Sequence, residues 1–272
     1  MPNFQTSDGI SLYFEDEGDG LPILCLSGLT RNSRDFDYVA PHLAGARLIR
    51  IDYRGRGLSD HADPATYAVP VEARDAVELL DHLGVDRVGV LGTSRGGMIA
   101  MVMGATVPDR LRGVALNDVG PEIETGGLSA IMGYLGKNPP FATFDEAAKA
   151  RLDLPQFPGV PLERWRKDVT HTATETPEGL KINYDPRLRD AVAAVMEAPS
   201  PDLWPLFDTL ANLPVAVIRG MNSDLLSAAA VERMCHRHPG MIVAEVPNRG
   251  HIPFLDEPES LAALRSWMEA MA

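Results

Sequence analysis

Cysteine is scarce. The chain has two in 272 residues, Cys25 and Cys235, too few for a disulfide framework. Cys25 lies in the apolar run Leu21-Pro22-Ile23-Leu24-Cys25-Leu26, where a small buried hydrophobe is the expected role, and Cys235 sits in a polar helical stretch. Long hydrophobic runs are missing too, since none approaches the ~20 residues that a membrane span needs. The opening MPNFQTSDGI has neither the basic nor the apolar region of a signal peptide. The expected setting is therefore cytoplasmic, with no membrane partner. Positive charge is in deficit: 25 Lys+Arg stand against 38 Asp+Glu, a net charge of −13, and no basic stripe offsets it. Such a surface repels phosphate backbones, which argues against nucleic acid as a partner. What remains is ordinary: 45% hydrophobic and 23% charged residues, the balance of a soluble globular protein rather than a disordered one. A chain of this size buries roughly three quarters of its unfolded surface without a metal or disulfide staple.

Short apolar runs alternate with helical patterns toward both ends of the chain. Candidate strands are 22–27, 46–52, 87–92, 111–118, 214–219 and 241–246. Most are continuously apolar, as in strands of a parallel sheet covered on both faces. Between them lie amphipathic stretches at 71–83, stopped by Gly84, at 96–107 and at 258–271. Residues 10–15 alternate like an antiparallel edge hairpin. This strand–helix alternation predicts an open α/β sheet. The middle breaks the rhythm: residues 121–205 carry 11 of the 22 prolines, and strand signals largely disappear. Helical pieces remain at 144–152 and 187–196. The expected division is an α/β core in two parts, 1–120 and 206–272, with 121–205 as a helical lid rather than an independent domain.

The strongest local signal is Gly92-Thr93-Ser94-Arg95-Gly96-Gly97, between a strand and an apolar helix. A turn this tight strains its central residue and exposes the side chain, and glycines two positions away avoid clashes of a β-carbon. Ser94 is the candidate nucleophile, and it needs a base. Of seven histidines, His251 follows the last predicted strand, where catalytic loops are delivered. His82, His236 and His238 read as solvated or dipole-compensating helical residues, His42 and His61 as surface residues, and His171 falls in the insertion. The orienting acid should also follow a strand. Asp224, after the strand 214–219, is favoured, and Asp118, at the end of the strand 111–118, is its competitor. An oxyanion hole needs two backbone donors, expected from Arg95 and from Leu29 in the loop Ser27-Gly28-Leu29-Thr30. No metal site and no cofactor are expected. The paired glycines Gly55 and Gly57 lack the third glycine of a dinucleotide fingerprint.

With these features in place the chain resembles the α/β-hydrolase superfamily over essentially its whole length. Asp52-Tyr53-Arg54-Gly55-Arg56-Gly57-Leu58-Ser59 looks like the family's D-x-R-G-x-G-x-S segment, and Gly250-His251-Ile252-Pro253-Phe254 like its terminal histidine motif. The resemblance is nearest the branch of 3-oxoadipate enol-lactonases and small carboxylesterases. It implies an eight-stranded, mostly parallel sheet flanked by helices, with a helical cap inserted after the sixth strand. It also implies a serine hydrolase that cleaves a carboxylic ester or lactone through an acyl-enzyme. Alternatives are a C–C bond hydrolase of ring-cleavage products, a cofactor-free haloperoxidase, or a ligand-binding protein on the same fold. Two departures stand out: Ser27 replaces the usual histidine of the oxyanion loop, and Arg95 follows the nucleophile. Arg31, Tyr134, Trp165 and Trp204 are candidate substrate contacts, with Arg31 and Arg95 placed to meet a distal carboxylate. The expected partner is a small ester or lactone, and the expected state a monomer or small homo-oligomer.

Overall fold

The computed structural model describes residues 2–197 and 201–272, Thr125 and Leu128 by backbone alone. Eight strands form one sheet: β1 (Asn3–Gln5), β2 (Ser11–Glu17), β3 (Leu21–Leu26), β4 (Ala46–Ile51), β5 (Val88–Thr93), β6 (Leu111–Asn117), β9 (Val215–Gly220) and β10 (Ile242–Val246). Their order is β1-β2-β4-β3-β5-β6-β9-β10. β1 and β2 pair antiparallel at the edge, β2 meets β4 antiparallel, and every other pairing is parallel. β5 and β9 are buried at every position, which explains their largely apolar sequence, with Arg219 of β9 the one charged residue.

Alternate residues of the central strands feed two cores. Val90, Val114 and Val217 face α1 (Val69–His82), α2 (Arg95–Thr106) and α8 (Ala228–Arg237). Leu91, Ala115 and Ile218 face α9 (Pro258–Ala270) on the opposite side, around Trp267. Gly84, at φ 64°, follows α1, where the sequence places its stop. His82 is exposed in the last turn of α1, as expected of a solvated or dipole-compensating residue, and its ring stacks on Phe4, 5.7 Å between centroids. His238, by contrast, is not a solvated helix residue but is buried, with Nε2 3.0 Å from the Leu213 carbonyl. No helix of the described residues is long and apolar enough to cross a membrane.

Between β6 and β9 the chain forms α3 (Thr125–Tyr134), α4 (Phe144–Ala150), α5 (Leu162–Thr172), a hairpin of β7 (Ala173–Thr176) and β8 (Gly179–Ile182), and α6 (Leu188–Met196). α7 (Trp204–Asp208) then returns to the core, where Trp204 and Phe207 join the cluster around α2. The hairpin escapes a reading by periodicity because each strand has four residues and buries only one. The insertion has its own apolar cluster, including Trp165, Val169 and Leu180, with Phe254 of the core packed against it.

Polar contacts fasten the insertion to the core. Three residues of α5's last turns meet the loop after β3: Arg31 pairs with Asp168 at 2.6 Å, and Arg34 and Asn32 donate to the carbonyls of Thr170 at 2.8 Å and His171 at 2.6 Å. The Gly57 N–H donates to the Asn183 carbonyl at 3.0 Å, and the Asp185 N–H to that of Gly55 at 2.8 Å. Asn222 Nδ2 donates to the Gln156 carbonyl at 3.1 Å.

Candidate active site

β5 ends at Thr93 and α2 begins at Arg95, so Ser94 must reverse the chain alone. It does so at φ 51°, ψ −113°, a left-handed φ that costs a non-glycine residue energy and lifts its side chain clear of both elements. A β-carbon on Gly96 would lie 2.0 Å from the Leu26 carbonyl oxygen, so only glycine lets α2 start this close to β3. The Ser94 N–H donates to the Asn117 carbonyl at 2.9 Å, which ties the turn to the end of β6.

His251 stands on the loop between β10 and α9. Its Nε2 is 2.9 Å from Ser94 Oγ, and its Nδ1 is 2.7 Å from Asp118 Oδ2. Two side chains missed in the sequence clamp this loop. Glu257 Oε1 accepts from Arg249 Nε at 2.8 Å and from the Phe254 N–H at 3.0 Å, and Asn117 Nδ2 donates to the Pro253 carbonyl at 3.2 Å. Gly220 allows the close approach, because a β-carbon there would lie 2.5 Å from the carbonyl oxygens of Arg249 and Gly250.

The expected acid needs correction. Asp118, not Asp224, contacts His251. Asp118 is fully buried, sits at φ 54°, and accepts the Gly220 N–H on Oδ1 at 2.9 Å. Its Oδ2 also accepts the Ser223 hydroxyl at 2.6 Å. The turn after β9 folds back through a Ser223 N–H to Gly220 carbonyl bond of 2.9 Å, so the side chain it turns inward is that of Ser223. Asp224, one residue later, is exposed, and its backbone lies against α3 at Gly127. Chain order could not have separated the two, since serine, acid and histidine keep the same succession either way.

The expected oxyanion donors flank Ser94. Arg95 opens α2, where backbone N–H groups lack helical partners. On the other side, both Ser94 Cβ and Arg31 Cγ lie within 4 Å of where a Gly28 β-carbon would be, at 3.9 and 3.4 Å. The Gly28 carbonyl accepts the Arg31 N–H at 3.1 Å, so the Leu29 N–H of the same peptide points the opposite way.

The substrate contacts expected from sequence fare differently. Arg95 does not face the site: its Nε binds Glu72 Oε2 at 2.6 Å and its NH2 group donates to the Tyr67 carbonyl at 2.9 Å. Arg31 is held between Asp35 and Asp168, each at 2.6 Å, with Arg151 on the far side of Asp168. Burial pushes the Asp35 carboxyl up to about 6 although Arg31 opposes the shift. Desolvation acts on Asp168 too, but Arg31 and Arg151 outweigh it and hold that carboxyl at about 2. Trp165 is buried in the insertion's cluster against Phe157 and Phe254. Trp204 packs on Phe207 and donates to Glu122 Oε1 at 2.9 Å, on the α2 side of the core. Only Tyr134 stays open. Half its surface is exposed, yet surrounding protein raises its phenol pKa, with Tyr184 adding to the effect and Arg31 and Arg151 opposing it. Among the described residues no group of three His, Cys, Asp or Glu could hold a metal ion.

A family model described as "Alpha/beta hydrolase family" matches residues 23–264. The chain is similar to a 3-hydroxybutyrate-oligomer hydrolase of Cupriavidus necator, at 36% identity over 251 residues, 88% of this chain and 85% of the relative. It is also similar to a 2-(acetamidomethylene)succinate hydrolase of Mesorhizobium japonicum, at 28% over 263 residues, 96% and 92% of the two chains. A crystal structure of an alpha/beta hydrolase from Novosphingobium aromaticivorans superposes with a TM-score of 0.92 at 39% identity, covering 99% of this chain and 97% of that one. With the strand order, the strained serine turn and these matches agreeing, the chain belongs to the alpha/beta hydrolase family.

Proposed function

We propose that this hydrolase is a serine esterase that works through an acyl-enzyme on Ser94, and that its substrates are short oxoesters of hydroxy acids. The observation that carries the chemistry is the unbroken hydrogen-bond chain from Ser94 Oγ to His251 Nε2 at 2.9 Å and from His251 Nδ1 to Asp118 at 2.7 Å. With Nδ1–H given to Asp118, Nε2 is free to accept the serine proton as Oγ attacks the ester carbonyl. The tetrahedral oxyanion is received by the N–H groups of Leu29 and Arg95. Collapse expels the alcohol, protonated by His251, and water then repeats the sequence on the acyl-enzyme. A lactone is opened by the same steps. The substrate class rests on the likeness to the 3-hydroxybutyrate-oligomer hydrolase, and the insertion acts as the lid over the acyl group, with the exposed Tyr134 as a candidate contact.

The test is a panel of 3-hydroxybutyrate dimer and trimer, simple acyl esters, lactones and vinylogous diketones, with Ser94→Ala as the blank. Ester turnover falling on the order of 10⁴-fold in Ser94→Ala is expected. Normal turnover by a folded Ser94→Ala protein refutes the nucleophile. A parent enzyme that binds the esters without cleaving them makes the chain a ligand-binding protein instead.

A further inference from the structure

The D-x-R-G-x-G-x-S segment has no part in the steps above, yet its Arg56 is buried behind the reacting serine. Glu72, in the first turn of α1, is fully buried and is bracketed by two guanidiniums. Its Oε2 is 2.6 Å from Arg95 Nε and its Oε1 is 2.9 Å from Arg56 NH1. Arg56 in turn donates through Nε to the Leu29 carbonyl at 3.0 Å and through NH1 to the Arg54 carbonyl at 2.7 Å. The rings of Tyr53 and Tyr67 flank it at 5.7 and 5.3 Å. One carboxylate thus joins the residue after Ser94 to the loop on the other side of Ser94.

Burying three ions here is costly, and their mutual attraction rarely repays the loss of hydration. An apolar cluster of the same volume commonly serves a core as well or better. What the ions supply that an apolar cluster could not is direction. Both peptides around Leu29 are pinned, one by the Arg31 N–H on the Gly28 carbonyl at 3.1 Å and the other by Arg56 on the Leu29 carbonyl. Those two bonds fix the orientation of the Leu29 N–H. We propose that Glu72 is a positioning residue of the oxyanion hole, holding the Arg95 and Leu29 donors in register through Arg95 and Arg56. This rests on the reading of Ser94 and its two donors given above.

The experiment uses three variants: Glu72→Gln, the milder Arg56→Lys, which keeps the charge but shifts the donor to Leu29, and the apolar triple Arg56→Met/Glu72→Met/Arg95→Met. Active sites are counted by labelling with diethyl p-nitrophenyl phosphate, and an ester substrate is compared with a trifluoromethyl ketone and its methyl ketone analogue as inhibitors. The fluorinated ketone forms a tetrahedral oxyanion on the serine, and the methyl ketone does not. We expect kcat to fall roughly 10- to 100-fold, below the loss from removing a donor outright, with KM within about twofold. The trifluoromethyl ketone should weaken by the same factor as kcat, and the methyl ketone should be unchanged. Parent-like kcat in any folded variant, or a loss confined to KM, overturns the positioning role. If the parent is labelled on Ser94 and Ser94→Ala is inactive, only this inference falls. If the parent is not labelled, the serine-hydrolase reading falls and takes this one with it.

Discussion

Replacing Asp118 by Asn tests the acid with little disturbance to the backbone. Position 118 sits at φ 54°, a conformation asparagine tolerates better than most residues. The amide oxygen can keep the Gly220 N–H bond of 2.9 Å, so the fold around the residue persists. The amide nitrogen takes the place of Oδ2, which now accepts from both Ser223 and His251 at 2.6 and 2.7 Å. An N–H₂ group cannot accept from Nδ1–H, but it can donate to a bare Nδ1. The imidazole proton is therefore driven to Nε2, where it faces the Ser94 hydroxyl and leaves that hydroxyl without an acceptor. Loss of the right tautomer is expected to lower kcat by about 10⁴, or about 5.5 kcal/mol of barrier. Asp224→Asn alters an exposed carboxylate and should leave kcat/KM within about twofold. The assay is steady-state ester hydrolysis with active sites counted by organophosphate labelling and folding checked by thermal melts. Greater damage from Asp224→Asn, with both proteins folded, refutes the assignment.

Gly96→Ala should cost about 3 kcal/mol or more, since the new methyl meets the Leu26 carbonyl oxygen at 2.0 Å; a melting temperature near the parent's rejects the packing argument. His171 is buried, with neither ring nitrogen hydrogen-bonded, and burial together with Arg34 and Arg31 pushes its pKa down to about 3. The unfolded chain takes up this proton near 6.5 and the folded one does not, so the stability is full above 6.5 and is lost as pH falls toward 3, at roughly 1.4 kcal/mol per pH unit. His171→Phe should flatten that limb in urea melts between pH 7 and 4, and unchanged slopes count against it. Trp204→Phe should lower stability by about 1 kcal/mol through loss of the Glu122 bond yet leave kcat/KM within about twofold; a selective rise in KM would return Trp204 to the substrate pocket.

Most of the core was legible because its strands are short, apolar and punctuated, and the serine turn announces itself by glycines whose β-carbons have nowhere to go. Ser94 was readable for that reason, and His251 because it follows the last strand of the sheet. The acid was not: both candidates follow apolar strands, and which side chain turns inward depends on a fold-back at Ser223 that no local pattern encodes. Arg95 misled because its position beside the nucleophile says nothing about where a long side chain ends. Its guanidinium is captured by Glu72, 23 residues earlier and on another helix. The β7–β8 hairpin stayed invisible because two buried residues make no periodicity.

The ladder of contacts between α5 and the loop after β3 bears on how such enzymes can be re-engineered. Arg31, Asn32 and Arg34 follow Leu29 closely in sequence, and each is anchored on α5. The segment carrying the Leu29 N–H is thus splinted by the insertion as well as by the sheet. Shuffling residues 121–205 between relatives to test for a change of specificity would remove that splint. Chimeras that keep Asp168 and the carbonyl positions of Thr170 and His171 should preserve the geometry around the serine. Those that replace α5 wholesale should lose turnover even on substrates that fit.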